Sequence, residues 1–149
     1  ANDAVNRTDL GNVVPRNARN YAGEKVPPSN QCASTLSDLL INAGLITSRD
    51  YQIRVTDMVG LLNGKVGRPE VLSGKFDKSD FRDGSIGIIA GMGHSRNGSN
   101  HIAIVERHGD KVSIIHNNGG RVVRQDITDK FYYRDGSPRY SDMRLFKLK

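Results

Sequence analysis

Cys32 is the only cysteine in this 149-residue chain, and it opens an apolar pattern in "NQCASTLSDLLINAG". Downstream, "NHIAIVERHGDKVSIIHNNGG" carries His101, His108 and His116, and His94 precedes it. A cysteine at a helix N-terminus, a histidine on a facing strand and a polar residue on the next strand form the set that a thiol nucleophile needs. The helix end favours the thiolate, the histidine takes the proton, and the third group holds the ring in one tautomer. A lone cysteine is more often a small buried hydrophobe, so the decision rests on the elements that would position it.

Cys32, Leu36, Leu39, Leu40 and Ala43 fall on one stripe of a helix that stops at Gly44, with glycine where a helix C-terminus wants it. The prolines of "EKVPPSN" argue for a loop before it, with Ser29 or Asn30 as the N-cap. Cys32 is then predicted in the first turn, its thiol pKa below the ordinary ~8.5 and its own amide available to a developing oxyanion. Upstream, "PRNARNYAG" reads as a short helix ending at Gly23, and residues 1–14 as a loose polar arm. A second helix is expected in "RVTDMVGLLNGKVG", where Val55, Met58, Val59 and Leu62 recur at helical spacing.

Beyond that the period changes. "GSIGIIAG", the two halves of the histidine-bearing stretch and "MRLFKLK" are rich in β-branched residues, and "HGDK" reads as a tight turn between strands of nearly equal length. Helices followed by an antiparallel sheet make an α+β domain rather than a doubly wound one. Alternation puts His101, Ala103 and Val105 on one side and Ile102, Ile104 and Glu106 on the other, so His101 points to the covered face. On the returning strand Val112, Ile114 and His116 share a side, and antiparallel pairing brings the end of that strand to the beginning of the first. His101 and His116 are therefore expected to meet. His94 and His108 lie in turn-like compositions and read as exposed loop residues.

At this length one domain over residues 1–149 can bury roughly 68–70% of its unfolded surface, with no need of a metal or disulfide. The four histidines lack thiolate or carboxylate partners at ligand spacing, so no metal and no cofactor is expected. No apolar run approaches the ~20 residues that span a bilayer, so no membrane partner is expected. The net charge is +6, and residues 107–149 hold ten Lys or Arg against five Asp. Such a surface suits anionic polymers, either bacterial wall or nucleic acid, or is a solvated face.

The order of "ARNYAGEKVPPSNQCASTLSDLLINAGLI", "FRDGSIGIIAG" and "NHIAIVERHGDKVSIIHN" resembles the NlpC-type and CHAP cell-wall hydrolases, papain-like cysteine peptidases and amidases, over about residues 18–120. The resemblance implies a papain-like core with Cys32 as nucleophile, "RDGS" at 82–85 as the turn before the first core strand, His101 as base and His116 as the orienting residue. CHAP members place Glu and then Asn on that last strand, which makes Asn118 a rival for the third role, with Asn117 behind it. Where many members read Asp-Cys-Ser-Gly, this chain has Gln31-Cys32-Ala33-Ser34. The implied reaction is thiol acyl transfer on an amide of the peptidoglycan stem peptide or cross-link. A small chain without a wall-binding repeat looks like a secreted or delivered enzyme of the bacterial periplasm or wall. Either an interbacterial effector, with delivery machinery and an immunity protein as partners, or a phage lysin would fit. A basic papain-like toxin acting on nucleic acid, and a non-catalytic module binding anionic polymer, are the alternatives.

Overall fold

The computed structural model describes residues 28–95, 99–118 and 121–148. The expected arm over 1–14 and the short helix ending at Gly23 lie outside them. Two helices, α1 (Pro28–Asn42) and α2 (Val55–Lys65), precede a sheet of β1 (Glu70–Leu72), β2 (Ile86–Ser95), β3 (His101–His108), β4 (Lys111–Asn118), β5 (Arg121–Asp126) and β6 (Tyr140–Lys147). Every pairing is antiparallel, in the order β1-β6-β2-β3-β4-β5. The α+β class holds.

Helix α1 starts earlier than expected. Pro28 occupies its beginning, where a missing N–H costs nothing because the first turn's donors have no intrahelical partner. Neither Ser29 nor Asn30 is therefore the N-cap, and Cys32 is the fifth helical residue, past the first turn. The helix ends as expected. Gly44 takes φ 76°, and the amides of Gly44 and Leu45 close on the carbonyls of Ile41 and Leu40 at 3.0 and 2.9 Å. All five stripe residues are buried, and so are Ala33, Ser34, Thr35 and Ser37 from the other sides. Small side chains let the neighbouring segments close in, and Ser37 Oγ donates to the Gln52 carbonyl at 2.8 Å while accepting from the Gln52 amide at 2.9 Å.

Strand alternation sorts the core into two clusters. Ile86, Ile88, Ala90, Ile102, Ile104 and Ile115 pack on the helices. Ile89, Ala103, Val105, Val112 and Ile114 face the other way, against Phe131, Tyr132 and Tyr140. Both faces of the sheet are thus covered, which the sequence pattern did not reveal. The expected β3–β4 hairpin is present, with Gly109 at φ 62° beginning the two-residue loop between the paired His108 and Lys111. His94 lies within β2 rather than in a loop, and His108 is the exposed last residue of β3. Sequence reading missed β1 and β5, a three-residue edge strand and a charged outer strand without the β-branched density of the inner ones.

Candidate active site

The β3–β4 ladder stops at the Ile104–Ile115 pair. Beyond it β3 stays paired to β2 as far as His101, and β4 to β5 as far as Asn118, so the sheet splits at this end. The second cluster holds Ala103 and Val105, so by alternation His101 sits on the face turned away from α1. The expected grouping of His101 with Ala103 and Val105 is observed, but the helix covers the opposite side. On the helix side the Cys32 thiol reaches the backbone of Ile102, the residue after His101, and at the split it lines one small space together with Ala103 and His116. Only about 10 Å³ of space remains among Cys32, Thr35, Ile102, Ala103, Ile115 and His116, which is at the lower limit for one water.

His101 and His116 meet as expected. Their Nε2 and Nδ1 atoms are 2.7 Å apart, with the rings edge to face at 90°. His116 Nε2 is in turn 2.6 Å from Gln125 Oε1 on β5. Asn118 also lies on this face, donating from Nδ2 to Gln125 Oε1 at 3.4 Å rather than touching His101's partner nitrogen. Asn117 points to the helix side, where its Nδ2 donates to Thr35 Oγ1 at 3.0 Å and ties β4 to α1. Of the sequence candidates, the fold joins His101 to His116, puts Cys32 beside the β3 backbone, and gives the asparagines separate positions. "RDGS" forms the turn before β2, where the Ser85 amide closes on the Arg82 carbonyl at 2.9 Å.

Aromatic rings wall the site. Phe131 lies 5.5 Å from the His101 ring and 5.9 Å from Tyr140. The Tyr140 ring covers Gly91, the residue paired with His101 across β2 and β3, so closely that a Cβ there would come within 2.4 Å of it. Burial above all, and then the nearness of the Cys32 thiol should it ionise, lifts the Tyr140 hydroxyl to about 12, which keeps it a neutral donor. Sequence reading missed Gln125, Phe131 and Tyr140. Only Gln125 left a trace, a polar residue two positions along β5 from Val123, the strand partner of His116.

Burial dominates the electrostatics. It pushes the Cys32 thiol up, with the backbone of Ile102, Ala33 and Cys32 itself opposing more weakly. The expected lowered thiol pKa is thus reversed, because Cys32 lies past the first turn, where the helix dipole fades, and is only 4% exposed. The same shift of helix start gives the Cys32 amide a carbonyl four residues back, so it is not the free helix-terminal donor expected for an oxyanion. His101 falls to about 3 through burial, then through His116 and Lys130. His116 is lowered as well, by burial, against the opposing bond to Gln125. Among the described residues no group of three or more His, Cys, Asp or Glu could hold a metal ion. A larger cavity of about 230 Å³, lined by Phe81, Val105, Glu106 and Arg107, opens near the other end of β3, away from the thiol.

No protein-family model matches the chain, and no curated protein matches it. A solved structure does: the crystal structure of the effector Tae4 from Salmonella typhimurium in complex with the immunity Tai4 from Enterobacter cloacae, at 22% identity and a TM-score of 0.53. The match spans 95% of this chain and 88% of that one. The two chains are alike in fold.

Proposed function

We propose that this chain is a cysteine-dependent hydrolase of peptidoglycan, cutting an amide of the stem peptide or cross-link as a delivered antibacterial effector on a papain-like core. The observation that carries this reading is the 2.7 Å contact between His101 and His116 at the split in the sheet, where the buried Cys32 thiol reaches the backbone next to His101. The fold neighbour, an effector crystallised with an immunity protein from another species, supports the effector class and an immunity partner for this chain. The resemblance of the nucleophile and base segments to wall hydrolases supports the substrate. Among the described residues no helix is long and apolar enough to cross a membrane.

In the reaction, the proton of Cys32 passes to His101 as sulfur attacks the amide carbonyl. His101 then gives that proton to the leaving amine, and water releases the acyl group from sulfur. His116 holds the His101 ring. The Tyr140 hydroxyl, neutral and near Cys32, is a candidate donor to the oxyanion.

Digestion of purified sacculi, with fragments weighed by mass spectrometry, tests the proposal. Wild type is expected to release peptides cut at one amide, while Cys32→Ala and His101→Ala lose nearly all cutting and keep the cooperative melt of the wild type. Undiminished cutting by Cys32→Ala would sink the thiol mechanism, and intact sacculi after wild-type treatment would sink the substrate.

A further inference from the structure

Gln125 stands at the end of a line of hydrogen bonds whose direction follows from the placement of its amide oxygen. Strand β5 pairs Gln125 with Ile114 and Val123 with His116, so Gln125 is the diagonal neighbour of His116 on one face, a separation a long side chain can cross. Its Oε1 lies 2.6 Å from His116 Nε2 and accepts from Asn118 Nδ2 at 3.4 Å. As placed, the amide presents its oxygen to both neighbours, and its NH2 group points away from His116. A carbonyl oxygen only accepts, so His116 must carry its proton on Nε2. Neutral His116 then offers the lone pair of Nδ1, and at 2.7 Å from it the Nε2 of His101 must be the donor. The opposite tautomer would set two lone pairs against each other at Gln125.

We propose that Gln125 is a positioning residue that sets the tautomers of His116 and, through it, of His101, so that Nδ1 of His101 is the nitrogen kept unprotonated for the proton of Cys32. The proposal rests on the thiol-hydrolase reading for its purpose, and on the hydrogen-bond directions alone for its geometry. When Cys32 gives up its proton, the Sγ–H bond breaks and an Nδ1–H bond forms on His101. The imidazolium so made donates from Nε2 to neutral His116, which donates onward to Gln125. Lys130 and Asp129 are the charged side chains acting on the pair, Lys130 on both rings and Asp129 on His116.

The test uses the full chain, labelled with 15N, together with Gln125→Met, which keeps the length of the side chain and removes its acceptor, and Gln125→Glu, which keeps an acceptor and adds charge. Histidine 15N spectra near pH 7 are expected to show His116 and His101 both protonated at Nε2 in wild type. In Gln125→Met, His116 should lose that preference, and kcat on muropeptides released from sacculi should fall roughly tenfold or more with KM within about twofold. Gln125→Glu should restore the tautomers and most of kcat, with the acid limb of the kcat profile moved to higher pH because a carboxylate favours the imidazolium. A wild-type His116 protonated at Nδ1, or unchanged tautomers in Gln125→Met, overturns the proposal. If Gln125→Met does not melt cooperatively, the wild-type spectrum and Gln125→Glu decide. Tautomers that follow Gln125 in a protein that cuts no muropeptide would support the relay and defeat the hydrolase reading instead.

Discussion

Cys32 and His101 both rest uncharged, since burial raises the one and lowers the other. A thiolate–imidazolium pair is therefore not the ground state. On the proposed mechanism the proton would leave sulfur as the attack proceeds, in a direction set by which His101 nitrogen is bare. This separates the site from a nucleophile held ready at a helix terminus. Iodoacetamide alkylation across pH 6–10 measures the difference. The folded protein is expected to react more slowly at neutral pH than the urea-unfolded chain, with an inflection above the ordinary ~8.5. An inflection well below pH 8 would mean a resting ion pair and a helix end closer to Cys32 than the fold places it.

Three elements bring these side chains together, and none does so alone. Helix α1 carries the thiol on one side of the sheet, while β3 and β4 carry the imidazoles on the other. Where β3 parts from β4 beyond Ile104 and Ile115, Cys32 and His116 line one small space of about 10 Å³. The bond from Asn117 to Thr35, both buried, anchors α1 beside the gap. On the far face, Tyr140 of β6 can lie over β2 only because Gly91 has no Cβ. Gly91→Ala would press a methyl into that buried ring and is expected to cost about 1–3 kcal/mol, as overpacking does. Urea titration at an unchanged m-value checks the stability, and cutting by the folded fraction should fall too, since the ring moves beside Cys32 and His101. Wild-type stability would show that Tyr140 has room to swing away.

For the molecule as a whole, burying neutral histidines makes stability depend on pH in a defined window. The unfolded chain takes up a proton at His101 near pH 6.5, whereas the folded protein holds off until about 3. The unfolded state binds more protons in between, so stability is fully present above about pH 6.5 and is lost as pH falls toward 3. The lowering of His116 has the same sign. Between about pH 6 and 5 the slope should approach about 1.4 kcal/mol per pH unit for His101 alone and rise further with His116. The lowered carboxylates of Asp50, Asp77, Asp83, Asp110 and Asp135 act at lower pH, through the unfolded value near 3.9. Urea midpoints at intervals from pH 7.5 to 4.5 should show this fall, and His101→Gln should remove one proton's share. A flat profile above pH 5 would mean that His101 is solvated in the folded protein.

Patterns of short range carried much of this in the sequence. The 3.6-residue stripe, Gly44 at its end and the change to β-branched alternation mark α1, α2 and the inner strands, because each depends on side chains a few positions apart. The two-residue loop at Gly109 and Asp110 pairs β3 with β4, and that pairing already brings His101 and His116 to one end of one face. The sequence could not say which face α1 would cover, since alternation sorts side chains into two sets without naming the outer partner of either. It also could not show that the sheet splits, or that Gln125 would reach His116, because β5 was invisible until β4 offered it an edge. The thiol is the sharpest case. Its place near the start of a helix is local and argues for a lowered pKa. Its burial against Ile102 is made by segments about seventy residues away, and desolvation by distant parts of the chain outweighs the fading field of a nearby helix end.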